Sequence, residues 1–240
     1  MSTIVPAILP VSQEDLENKL VLLIGLVESV QIDIVDGKFV APASWPYVSG
    51  EGAATKAILS GVEMLPHVGQ IQFEMDLMVT APEELTGPWI AAGANRITLH
   101  AESTRNLSQL IGDMAVTYGH SKDFAPNLLS LGLALNIDTD LSLIEPFLDR
   151  IDYVQFMGIA RIGRQGEPFD PRVLRKIAVF KQKHPTIVLQ VDGGVSLDTA
   201  PTLMAAGIDR LIVGSGIWHS DDPADRIRAF QTLADEYGGY

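Results

Sequence analysis

TIVLQVDGGVSLDTAPTLMAAGIDRLIVGSG, residues 186–216, holds one complete strand–helix–strand unit. A β-branched and aliphatic run, Thr186 to Val191, ends at Asp192-Gly193-Gly194, and a segment of helical period follows it. Ala206-Gly207-Ile208-Asp209 places a glycine where that helix should stop, and Arg210 to Val213 forms the next strand before Gly214-Ser215-Gly216. A strand returned to its own direction by a helix belongs in a parallel sheet. Working outward, the unit repeats. Ala92-Gly93-Ala94-Asn95 is a second glycine stop, and further strands are expected at Thr3 to Leu9, Ser29 to Val35, Gln70 to Met78, Asn95 to His100, Leu129 to Asn136 and Tyr153 to Met157. Eight strands, each followed by a helical segment, predict a single (β/α)8 barrel domain over residues 1–240. A doubly wound open sheet usually carries a glycine-rich turn after its first strand. Here that turn reads Leu9-Pro10-Val11-Ser12, which favours the barrel.

The 240 residues are 47% apolar, enough for a full core. A net charge of −13 with no Lys/Arg cluster weighs against nucleic acid as a partner. It does not weigh against one small phosphorylated ligand, which backbone amides can hold on an acidic protein. The absence of cysteine excludes disulfides, thiolate nucleophiles and Cys-based zinc sites. No apolar window reaches the roughly 18 residues of a membrane span, and the first residues lack a basic-then-apolar leader, so a cytoplasmic protein without a membrane partner is expected. Trp45, Tyr47 and Trp89 read as exposed aromatics able to join copies of the chain into a homo-oligomer.

In a barrel of this type the working residues come from the C-terminal ends of the strands. Those ends are rich in carboxylates. Along Gln31-Ile32-Asp33-Ile34-Val35, alternation points Gln31, Asp33 and Val35 to one face, and Glu74-Met75-Asp76 and Gln190-Val191-Asp192 add acids on two further strands. Any one of them could be a helix cap or a solvated loop residue. As a set inside apolar strands, they need pairing, protonation or a cation. Asp33 and Asp192 are the best placed. Gly193-Gly194 and Gly214-Ser215 close the last two strands, where this fold commonly binds phosphate, and Gly163, Gln165 and Gly166 lie on a loop able to close over a ligand. Met78 and Met157 either wall the pocket or fill the barrel.

Taken in order, Val5-Pro6-Ala7-Ile8-Leu9, Asp33 with Asp36-Gly37-Lys38-Phe39-Val40, Asp76-Leu77-Met78-Val79, Thr98-Leu99-His100-Ala101-Glu102, Leu135-Asn136, Met157, Val191-Asp192-Gly193-Gly194 and Gly214-Ser215 resemble ribulose-phosphate 3-epimerases through nearly the whole chain. The resemblance implies a ribulose-phosphate-binding barrel. It also implies metal-assisted epimerisation beside the ketone of a ketopentose phosphate, with Asp33 and Asp192 exchanging protons on opposite faces of the substrate. Two histidines that the family places beside these aspartates are Gln31 and Asp76 here. A serine of the first strand is Ala7, a methionine of the second is Val35, and the loop after the sixth strand has lost its Pro-Gly-Phe-Gly-Gly order.

Two readings of the altered set compete. Gln31, Asp33, Asp76 and Asp192 form an all-oxygen site suited to Mg²⁺ or Mn²⁺ rather than zinc, or the site has lost metal and activity and the barrel only binds a sugar phosphate. An enzyme of this type acting on another phosphosugar is a further alternative, and no organic cofactor is implied. No lysine ends the sixth strand, against a Schiff-base aldolase. Related barrels that decarboxylate or synthesise hexulose phosphates use Asp-x-Lys-x-x-Asp on the third strand, whereas Asp76-Leu77-Met78-Val79-Thr80 has no lysine. His100 is a candidate neighbour of the site. His67, His120, His184 and His219 are expected at the surface, and Arg161 and Arg164 are solvated or face a phosphate.

Overall fold

In a computed structural model, described over residues 2–48, 52–122 and 128–238, eight parallel strands close into a barrel in sequence order. They are β1 (Thr3–Ile8), β2 (Ser29–Val35), β3 (Gln72–Met78), β4 (Ala94–His100), β5 (Ser130–Leu135), β6 (Tyr153–Met157), β7 (Val188–Asp192) and β8 (Arg210–Val213). β1 closes the ring on β8 with Val5 opposite Ile212. The outer layer comprises α1 (Gln13–Leu23), α2 (Ala53–Leu59), α3 (Pro82–Ala91), α4 (Leu107–Tyr118), α5 (Arg172–Lys183), α6 (Ala200–Ala205), α7 (Ser215–Trp218) and α8 (Pro223–Gly238). None is long and apolar enough to cross a membrane.

Local chemistry accounts for these elements. Ser12 caps α1 by accepting from the Asp15 N–H at 3.0 Å, and Leu16, Leu20 and Leu23 recur on its buried face. On α5, Val173, Ile177 and Phe180 follow the same spacing, and Phe180 meets Phe156 of β6 edge-on at 5.4 Å. The helix expected after β5 is absent. Two short 3₁₀ turns, Leu141–Leu143 and Glu145–Phe147, stand in its place, because Asp140 caps the first and Pro146 lacks the N–H that a continuous α-helix would need there.

The expectation that Trp45 and Trp89 are exposed is also overturned. Both are buried, with rings 5.8 Å apart. The chain after β2 folds back on the barrel rim: Ser44 Oγ donates to the Asp33 carbonyl at 2.8 Å, and the Trp45 N–H donates to the Pro10 carbonyl at 2.7 Å. These bonds draw the Trp45 ring into the core, where its indole N–H donates to Thr55 Oγ1 at 3.1 Å. Tyr47 stays exposed. His120, expected at the surface, is buried with Nε2 2.8 Å from Asp152.

The side chains inside the ring are sorted by side. Where β1 meets β8 the wall is apolar, made by Val5, Ala7 and Ile212. From β2 through β4 and from β6 to β7 it is polar, because Gln31, Asp33, Glu74, Asp76, Thr98, His100, Gln155, Gln190 and Asp192 are all buried there. Register places Gln31 beside Glu74, Asp33 beside Asp76, and Gln155 beside Gln190.

Candidate active site

At the floor of the barrel, Glu74 accepts from Arg96 Nε at 3.0 Å, an Arg210 terminal nitrogen at 2.9 Å and Thr98 Oγ1 at 3.0 Å, and also from Gln190 Nε2. Burial opposes its ionisation, but the two guanidinium groups and these hydrogen bonds outweigh it and hold its pKa down to about 2. Arg96 lies 3.9 Å over the ring of Tyr153, whose hydroxyl is 2.7 Å from Thr98 Oγ1. Glu74 therefore joins a closed ionic floor rather than the open site.

Above that floor the carboxylates converge. Asp33, Asp76 and Asp192 each offer an oxygen within 4.8 Å of the others, and Gln31 Nε2 donates to Asp33 at 2.9 Å and to Asp192 at 2.8 Å. One amide thus bridges two aspartates from strands separated by β1 and β8. Burial, then the charges of Asp192 and Asp76, push Asp33 well above the usual carboxylate range, with Gln31 pulling the other way. Burial and Asp76 likewise raise Asp192 to about 7. Asp76 Oδ2 accepts from Gln155 Nε2 at 3.0 Å. Its Oδ1 lies 3.1 Å from His100 Nε2 but off the line of a hydrogen bond, and neither of those atoms has a hydrogen-bond partner among the described residues. Burial disfavours the charged form of His100, but the Asp76 carboxylate prevails and raises its pKa.

A hard cation fits this set. The donors are oxygens, three are carboxylates, and the Asp76 Oδ1 and Gln31 Oε1 atoms are buried without a hydrogen bond. Amide oxygen and nitrogen exchange places when the amide group flips, so Gln31 can turn either atom toward the cluster.

The cluster opens upward into a narrow cleft. Asp33 and Asp192 lie on its wall together with Met78, Met157, Gly163, Gln165, Gly166, Gly193, Gly194, Gly214 and Ser215. Gln31 and Asp76 are fully buried and do not line it. The glycines are there for space and conformation: a Cβ on Gly194, whose φ is +70°, would stand 2.6 Å from the Phe169 backbone, and one on Gly193, with φ +94°, 2.6 Å from the Ile159 side chain. Bare backbone therefore faces the cleft beside Asp192.

Two loops roof it. Asp36 accepts from the N–H groups of Lys38 and Phe39, at 2.7 and 2.8 Å, and from the Thr80 N–H at 2.8 Å, which fixes the turn after β2 to the end of β3. That turn is clasped to the loop after β6, where Arg164 Nε donates to the Ala41 carbonyl at 3.0 Å. Arg161 pairs with Glu167 at 3.0 Å and is largely exposed, while Arg164 borders the cleft.

The residues that sequence reasoning missed are Arg96, Gln155, Gln190 and Arg210, and the cleft residues Ile159 and Glu167. The first four carried a readable signal. Each is polar at an alternate position of an otherwise apolar strand, in register with Glu74 or with one another.

The Ribulose-phosphate 3 epimerase family matches residues 3–218 of the chain. The ribulose-phosphate 3-epimerase of Schizosaccharomyces pombe is 30% identical over 155 residues, which make up 65% of this chain and 63% of that protein. The ribulose-phosphate 3-epimerase of Mycobacterium bovis is 28% identical over 211 residues, 85% of this chain and 81% of that one. Among solved structures, KGPDC from Streptococcus mutans matches with a TM-score of 0.70 and 18% identity over 99% of both chains, which is a likeness of fold.

Proposed function

The chain belongs to the ribulose-phosphate 3-epimerase family, and from that premise we propose that it inverts the carbon beside the ketone of a ketose phosphate, interconverting D-ribulose 5-phosphate and D-xylulose 5-phosphate. Asp33 and Asp192 are the proton-transfer pair in this reading. One takes the proton from carbon three, leaving an enediolate, and the other returns a proton to the opposite face. The observation that carries it is the single Gln31 amide bridging two buried carboxylates on strands set apart around the ring.

The electrostatics support the assignment. Epimerisation by two groups needs one protonated and one free at the working pH. Two crowded, buried carboxylates whose pKa values are lifted, one to about 7, share protons in that way near neutrality. Asp76, with the same two aspartates, would hold a divalent ion, Gln31 joining them when its amide flips from bridging the aspartates to present its oxygen, and an all-oxygen set favours Mg²⁺ or Mn²⁺ over zinc. When bound, that ion supplies positive charge that stabilises the oxygen charge developing beside the ketone. The glycine backbone of residues 193, 194 and 214, with Ser215, binds the phosphate, and Gly163, Gln165 and Gly166 cover it. Met78 and Met157 pack against the sugar carbons.

The test is conversion of D-ribulose 5-phosphate followed by NMR, with Mn²⁺, Mg²⁺, Zn²⁺ or EDTA in parallel. D-xylulose 5-phosphate is expected with Mn²⁺ or Mg²⁺ and little of it in EDTA. Turnover of a different ketose phosphate alone would move the substrate assignment, and no turnover of any by folded protein would reject the epimerase reading.

A further inference from the structure

Gln155 and Gln190 are buried amides on neighbouring strands, and the groups around them fix which way each one points. The Gln190 oxygen faces two guanidiniums, 3.2 Å from Arg210 Nε and 3.4 Å from an Arg96 terminal nitrogen. Arginine only donates, so that end of the amide must be the carbonyl. The Gln190 nitrogen therefore turns the other way, donating to Glu74 and, at 2.7 Å, to the Gln155 oxygen. This bond in turn leaves Gln155 no choice: its nitrogen faces upward and donates to Asp76 Oδ2 at 3.0 Å. The chain of donors runs in one direction, from the arginine floor to the carboxylate cluster, and each bond polarises the next.

We propose that Gln155 is a positioning residue for Asp76: the relay occupies Oδ2 and holds the carboxylate so that Oδ1 is left for a divalent cation. This rests on the reading of Asp33, Asp76 and Asp192 as the cation site of the epimerase. Asp76 Oδ1 is buried and makes no hydrogen bond, and His100 Nε2, 3.1 Å away and off the line of one, leaves it able to take another partner. Metal-ligating side chains depend on such outer partners for orientation, and losing one typically costs roughly 10- to 100-fold in metal affinity. The relay also explains why polar side chains sit in the barrel interior at 155 and 190, where apolar ones would pack without needing partners.

Mn²⁺ titrated into the purified protein, with free ion read by electron paramagnetic resonance, tests this directly. Gln155→Met keeps length and volume but has no N–H to donate, and Gln155→Asn keeps the amide one methylene too short to reach. Both variants are expected to raise the Mn²⁺ Kd about 10- to 100-fold relative to wild type, and to lower kcat with little change in KM, since the phosphate loops are untouched. Circular dichroism and thermal melts establish which variants are folded. A purely structural role would lower the melting temperature and leave the Kd alone. A folded variant that binds Mn²⁺ within about twofold of wild type overturns the inference while the cation site stands. Wild-type protein that takes up no Mn²⁺ overturns the cation site and the inference with it.

Discussion

Glu74 shows how much one residue depends on its partners. Removing its charge takes from Arg96 and Arg210 the buried carboxylate that both are paired with, so Glu74→Gln is expected to cost about 3–5 kcal/mol. In a chain of this size that lowers the melting temperature by roughly 10 °C, which a calorimetric scan checks. Its pH dependence has a definite sign. The pKa falls from 4.5 in the unfolded chain to about 2 in the fold, so its contribution, on the order of 3 kcal/mol, is complete above pH 4.5 and is lost as pH falls toward 2. The sequence showed a carboxylate at position 74 but not its direction, because the partners that decide it come from β4 and β8. Asp33 and Asp192 were more legible. Each is an acid at a strand end inside an apolar run, a placement with few inexpensive explanations.

Among the elements, the loop after β7 is built for backbone contact rather than side-chain contact. Gly194→Ala places a methyl group against the Phe169 backbone at a positive φ, so the loop must shift and its amides leave their places. On the proposed phosphate site, losing one charge-assisted hydrogen bond predicts a rise in KM of about tenfold or more, with a smaller change in kcat. Gly25→Ala is the control: its φ is also positive, at +77°, but it has open space around it and lies away from the cleft, so it should cost stability and leave KM unchanged. Strands were the readable elements, since β2, β6 and β8 have the bounds expected and the others differ by one or two residues. Period-two apolar runs bounded by turns carry that information locally. The segment after β5 misled because its composition suits a helix while Pro146 forbids a continuous one. Trp45 and Trp89 misled because their burial depends on the fold-back after β2, which is a tertiary event.

Across the whole molecule, the barrel gathers acid in one place in a protein whose net charge is already −13. For Asp33 and Asp192 the folded pKa lies above the unfolded value of 3.8, so the native state binds more protons and stability falls as pH rises from about 4 to 7. A cation bound by the three aspartates would offset that cost. Mn²⁺ at about 100 times its Kd should stabilise the protein by about 2.7 kcal/mol, roughly 5–10 °C in melting temperature. The gain over EDTA should be larger at about pH 8 than at about pH 5, and Asp76→Ala should remove it. Equal melting in Mn²⁺ and EDTA would count against a cation at this site. The central claim, that two aspartates pass protons across one carbon, is tested most directly in D2O. With D-ribulose 5-phosphate and Mn²⁺, wild-type protein should place deuterium at carbon three as D-xylulose 5-phosphate appears, and Asp33→Asn and Asp192→Asn should each slow this by about 10²- to 10⁴-fold. Deuterium entering at the wild-type rate in either folded variant would contradict the two-aspartate account.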